Sequence, residues 1–197
     1  MPFSTEAEAA TGGDLPYGQA VRLLSADAQD YWRRTFPRLA GQPWQTLRVD
    51  PFTGGAAPSC SAPDPSAGGT AFYCPDGDFV AFDNERLGPT LYQRIGDFAV
   101  GMLIGDLFAR AAQDRRGAST RDRAGQLTVD CLAGAWTNDL LTGEQNSQDI
   151  SLSPGDLDEA VAALLAFGRA TEPNGTTAFD RISAYRKAVL NGLSACT

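Results

Sequence analysis

Between Leu87 and Arg116 the chain carries its longest run of apolar residues at helical spacing, with Leu91, Ile95, Phe98, Met102, Leu103, Leu107 and Phe108 on one broad face. A face that wide has to be covered from several sides, so this segment is expected to form the central helix of the fold. Gly96, Gly101 and Gly105 fall inside it; each costs about 1 kcal/mol of helix propensity relative to alanine, which points to close packing against another backbone. Asp97, Asp106 and Arg110 interrupt the apolar stretch and exclude a transmembrane small-residue dimer.

The flanking segments read as partners for that helix. Leu15 to Arg38 repeats Val21, Leu24, Ala28, Trp32 and Phe36 at helical spacing, with Ser25 and Asp27 as cap candidates and Pro37 as the stop; Trp32 and Phe36 share its buried face. Residues 44–53 alternate as a strand through Trp44, Leu47, Val49 and Phe52, and the Gly/Pro/Ser-rich stretch 54–70 reads as a loop. Ala71-Phe72-Tyr73-Cys74 and Phe79-Val80-Ala81-Phe82 flank Pro75-Asp76-Gly77-Asp78, whose Asp-Gly marks a hairpin turn. Asp76, Asp78 and Asp83 lack the spacing and terminal glutamate of a calcium loop, so turn chemistry accounts for them better than calcium does. Ser119 to Leu141 predicts a helix, Ser153-Pro154-Gly155-Asp156 opens another that runs to about Gly168, and Thr177 to Gly192 gives a last one. Residues 1–14 are small, polar and acidic and read as a flexible leader or tether, leaving 15–197 as a single domain.

Charge removes whole classes of partner. At a net charge of −8 with no basic runs, counterion release works against nucleic-acid binding, and an anionic lipid surface repels the chain. No apolar stretch reaches the roughly eighteen residues that a membrane helix needs, and the N-terminus lacks the layout of a signal peptide. The four cysteines Cys60, Cys74, Cys131 and Cys196 form no CxxC pair, and the sequence has no histidine to complete a mixed zinc site. Disulfides are the better reading, Cys60 with Cys74 across the loop and Cys131 with Cys196, each contributing roughly 2–4 kcal/mol. The alternative is four reduced buried thiols. Disulfides would place the protein outside the cytoplasm, secreted or anchored at the cell envelope, with a signal or anchor ahead of this segment and Met1 as an expression start.

A series of short motifs follows in order: Phe72-Tyr73-Cys74-Pro75, the hairpin end Phe82-Asp83, Gly96-Asp97-Phe98-Ala99, Asp130-Cys131-Leu132-Ala133-Gly134-Ala135-Trp136, Pro154-Gly155-Asp156, and Gly175-Thr176 with Arg181 five residues beyond the threonine. In number and order they resemble the bacterial neutral zinc metallopeptidase family, over about residues 25–197. The resemblance implies an α+β, zincin-like fold with a small sheet and hairpin packed on a helical core. Members of that family carry His-Glu-x-x-His on the central helix, because histidines at i and i+4 reach one zinc while the glutamate activates its water. Here those positions fall on Gly105, Asp106 and Ala109, and the third-ligand glutamate position is Gln126. Asp130 matches an aspartate that would orient a ligand histidine.

The resemblance therefore implies a degenerate member: no catalytic residue, no metal, no cofactor, and a cleft with Asp106, Arg110, Gln126 and Asp130 as candidates for binding a protein or peptide of unknown identity. Two other classes stay open. One is an enzyme re-tooled around Asp97, Asp106 and Asp130, set against the plainer reading that Asp97 and Asp130 anchor packing and Asp106 faces solvent. The other is a structural subunit of a cell-envelope complex, for which a large apolar patch away from the cleft would be the sign. A serine nucleophile would need Lys187, the one lysine in the chain, and nothing places a serine beside it. Asn174-Gly175-Thr176 fits a glycosylation sequon but also falls where the family shows His-Gly-Thr, and ancestry explains it better.

Overall fold

The computed structural model describes residues 15–143, 150–153, 155–167 and 172–196. The leader expected over 1–14, Pro154 at the start of the third predicted helix and its end at Gly168 lie outside the described residues. The chain folds as mixed α+β, with helices α1 (Tyr17–Ala40), α2 (Leu87–Arg94), α3 (Asp97–Arg115), α4 (Arg123–Thr142), α5 (Asp156–Phe167) and α6 (Ala178–Asn191). Strands β1 (Arg48–Phe52), β2 (Asp64–Ser66), β3 (Ala71–Cys74) and β4 (Phe79–Asp83) form one sheet in the order β1-β4-β3-β2. β1 runs parallel to β4, and the other two pairs are antiparallel.

α3 is central: every residue from Phe98 to Gln113 is buried. One face of the sheet lies on the main core through Ala71, Tyr73, Val80 and Phe82. The alternate residues Phe72, Cys74, Phe79 and Ala81 form a second small cluster with Phe52 and Cys60, as the two-residue period of a strand requires. The Cys60–Cys74 bridge closes on that outer cluster, and Cys131–Cys196 ties the terminal turn Leu193–Cys196 to α4; the Cα separations are 5.8 and 5.7 Å. Among the described residues no helix is long and apolar enough to cross a membrane.

Several boundaries differ from the sequence expectation for identifiable reasons. The predicted helix over 87–116 is two helices, because Gly96 adopts φ 145° and breaks the run. Glu159 of α5 reaches across and accepts the Phe98 N–H at 2.9 Å, and a Cβ on Gly96 would stand 1.9 Å from its carboxylate. A helix end capped by a distant side chain leaves no local sequence signal. α1 passes through Pro37 to Ala40, with Ser25 and Asp27 inside it. The N–H that Pro37 lacks would bond the Arg33 carbonyl, and both residues lie on the exposed face, where losing that bond costs least. The first strand is shorter than 44–53 because Trp44 turns inward, stacked between Trp32 at 5.6 Å and Phe108 at 6.3 Å. The stretch 54–70, expected as loop, contains β2. α4 starts at Arg123 rather than Ser119, with Asp122 capping it through the Gly125 N–H at 2.8 Å.

The close backbone approach expected at Gly96, Gly101 and Gly105 is instead contact with side chains, those of Glu159, Phe98 and Trp136 respectively. Backbone approaches occur instead at Gly125, where a Cβ would lie 2.1 Å from the Ser119 carbonyl oxygen, and between helices at Gly134, where a Cβ would lie 2.3 Å from the Tyr185 carbonyl oxygen and force α4 away from α6. Gly134→Ala should therefore destabilise the fold by about 1–3 kcal/mol, the range for overpacking a core. Chemical denaturation measures this, and an unchanged midpoint would contradict the crossing geometry.

Candidate functional site

Four elements bring charged side chains to one place. α3 supplies Asp106 and Arg110 one turn apart, α4 supplies Gln126 and Asp130 one turn apart, α6 supplies Arg181, and edge strand β2 supplies Asp64 and Ser66. Arg110 donates from Nε to Asp106 at 2.8 Å, from Nη1 to Asp64 at 3.2 Å and from Nη2 to Gln126 Oε1 at 2.9 Å. Arg181 donates from Nε and Nη2 to Asp130 at 3.0 and 2.8 Å, and stands 3.7 Å from Asp106. Gln126 links the two halves by donating to Asp130 Oδ1 at 3.3 Å. None of these charged side chains is more than 5% exposed.

Burial at this depth makes the ion pairs interdependent. Desolvation pushes the Asp106 carboxyl up, but Arg110 and Arg181 outweigh it and hold the group below the ordinary aspartate value. Asp130 is raised instead, because desolvation exceeds the pull of Arg181. Burial works against the charge on Arg110 and Arg181, yet their carboxylate partners raise both.

Above this network opens a groove of about 350 Å³. Pro65, Ser66, Ala67 and Gly69 line it from the β2 segment, Phe167, Glu172 and Pro173 from the end of α5 and the segment that follows, and the lining also includes Arg110, Gln126 and Arg181. A broader depression of about 580 Å³ over the Cys60–Cys74 bridge is lined by Ser59, Ser61, Asp76 and Gly77 beside the cystine. It brings no buried charge together, so the smaller groove is the better site.

The four candidates from the sequence, Asp106, Arg110, Gln126 and Asp130, are thus in one network. Arg110 and Gln126 line the groove, whereas Asp106 does not face solvent as expected: it is 1% exposed, beneath the two arginines. Asp97 is not with Asp106 and Asp130. It sits with Asp156 and Glu159, their carboxylate oxygens within 4.8 Å of one another, where it accepts the Leu15 N–H while Asp156 accepts from Ser153 and Glu159 from Phe98. These acids hold helix starts and the segment leading into α1.

The residues at the zinc-ligand positions of the resemblance do not fit a zinc ion. Gly105 and Ala109 offer no donor; a Cβ at Gly105 would stand 2.9 Å from the Trp136 ring, and Ala109 is fully buried. Trp136 is fixed there by its N–H bond to Asp27 at 2.8 Å. The oxygens of Asp106 and Gln126 are engaged by guanidiniums, so a dication would meet two positive charges where it needs ligands.

Sequence reading gave Arg181 a place in a motif but no role, and it missed Asp64 and Ser66 altogether. Arg181 was detectable in principle: with Tyr185 and Ala188 it lies on the buried face of α6, and a charge there demands a buried partner. Comparison of the chain with family models, with curated proteins and with solved structures gave no match.

Proposed function

We propose that the protein is a catalytically inactive homologue of the bacterial neutral zinc metallopeptidases, zincin-like in fold, acting outside the cytoplasm by holding a peptide segment of another protein in the groove. The observation that supports this most is the closed network of Arg110 and Arg181 with Asp64, Asp106, Asp130 and Gln126, which engages the oxygens a hydrolytic metal or general base would use. Both disulfides fit an oxidising compartment. The edges of the sheet are poor templates for strand addition, since β2 has three residues with Pro65 in the middle and β1 carries Pro51. Recognition would therefore go through the side chains lining the groove rather than through a main-chain ladder.

The reading is tested by incubating the protein with a mixed peptide library and analysing retained and released peptides by mass spectrometry. Retention without new peptide ends is the expected result. Cleavage that persists in chelator would favour a re-tooled carboxylate enzyme, and no retained peptide would sink the binding reading.

A further inference from the structure

Two features of the groove floor ask for an acceptor from outside. Arg181 uses Nε and Nη2 on Asp130, and its Nη1 has no partner among the described residues although the side chain is 5% exposed and lines the groove. Arg110 is closed on one side by Asp64, which arrives on a short edge strand rather than a helix and whose Oδ2 has no hydrogen-bond partner. Arg121 also approaches Asp64, at 4.0 Å. Asp64 is therefore bracketed by cations yet only half satisfied, the position of a removable internal ligand.

We propose that the groove captures the free C-terminal carboxylate of a peptide with an apolar last residue, Arg181 and Arg110 receiving the carboxylate and Asp64 acting as the internal stand-in that it displaces. Arg110 and Arg181 are the two guanidiniums lining the groove, and moving Asp64 aside frees the one bond that Arg110 makes from Nη1, which matches a single incoming carboxylate. The net charge of −8 opposes further negative charge, which disfavours a run of acidic side chains. Phe167 and Pro173 form an apolar wall for the terminal side chain. The proposal rests on the groove being the binding site of the proposed function, and it adds the chemistry of what is bound.

The test uses fluorescence anisotropy on the whole chain with three labelled probes of equal length: a peptide ending in leucine with a free carboxylate, the same peptide amidated, and an amidated peptide with an internal glutamate. The free acid should bind at least about ten-fold tighter than either amide, the size of one charge-assisted hydrogen bond. Asp64→Asn should tighten the free acid by about ten-fold relative to wild type, because the stand-in loses its charge. Arg181→Lys keeps a cation beside Asp130 but lacks the guanidinium fork, and should remove the acid–amide difference while thermal melting shows it folded. Phe167→Ala, outside the ion network, should weaken the leucine-ended acid specifically. Equal binding of acid and amide would overturn carboxylate capture and leave the groove reading intact. Equal binding of the glutamate probe and the free acid would overturn the C-terminal assignment. No binding of any probe to wild type or Asp64→Asn would overturn both readings together.

Discussion

Replacing Arg181 with methionine should lower the unfolding free energy by about 3–5 kcal/mol, the cost of removing one partner of a buried ion pair. Methionine fills much of the volume but leaves Asp130, whose side chain is fully buried, without the bonds it accepts from Arg181 Nε and Nη2. Asp106 also loses a cation at 3.7 Å. The deficit should depend on pH with a defined sign. Burial already raises the Asp130 carboxyl, and loss of Arg181 raises it further. A carboxyl whose folded pKa is above its unfolded one destabilises the fold when ionised, so the deficit grows as pH rises from the unfolded value through the folded one. Denaturation of wild type and variant at several pH values measures it. Combining Arg181→Met with Asp130→Leu should recover most of the loss, because an apolar pair can replace a buried ion pair at little cost. A single-variant loss below about 1 kcal/mol would be that of a surface pair and would contradict the buried network.

Removing the Cys131–Cys196 bridge by a double alanine substitution should cost about 4 kcal/mol, against about 3 kcal/mol for Cys60–Cys74, on the chain-entropy account of cross-links. The difference follows from the loops they close, with sequence separations of 65 and 14. The longer loop contains α5 and α6, and with α6 comes Arg181, so this bridge also limits how far the C-terminal half can move from α4. The shorter one should have the larger effect on the groove, because it pins the segment that delivers Asp64 to Arg110. Chemical denaturation with an alkylation mass count before and after reduction separates these cases. Unchanged stability without Cys131–Cys196 would mean that helix packing alone holds the terminus.

What could be read in advance was local. The central apolar segment, the hairpin around Asp76-Gly77 and the Thr177 start of α6 each advertise themselves within a few residues, through periodicity, turn chemistry or a capping box. What could not be read depends on residues far apart. Ile95 and Phe98 continue the helical period across Gly96, and only Glu159 on another helix explains why the chain breaks there. Asp64-Pro65-Ser66 has the composition of a loop and becomes a strand by pairing with β3. At the site, Asp106, Gln126 and Asp130 were named because the resemblance puts its ligand and ligand-orienting positions there, with Arg110 beside them in the implied cleft. Asp64 and Arg181, which close the network, come from a strand and a helix whose approach no local pattern encodes. The reason for Gly134 is likewise tertiary, the Tyr185 carbonyl of α6.

The exposed large apolar residues Leu141, Leu165, Phe179 and Leu190 bear on the envelope-subunit alternative. Phe179 and Leu190 share one side of α6, but the exposed Ser183 and Arg186 stand between them, so that side is not a continuous apolar face.

On the proposed reading this scaffold has exchanged a metal site for an ion-pair network, and zinc content tests that reading most directly. Untagged protein purified without chelator, then equilibrated with excess zinc and desalted, should carry far less than one zinc per chain by elemental analysis and melt at the same temperature as untreated protein. One zinc per chain, lost together with the thermal shift in Asp106→Asn, would contradict the account and make Asp106 a metal ligand.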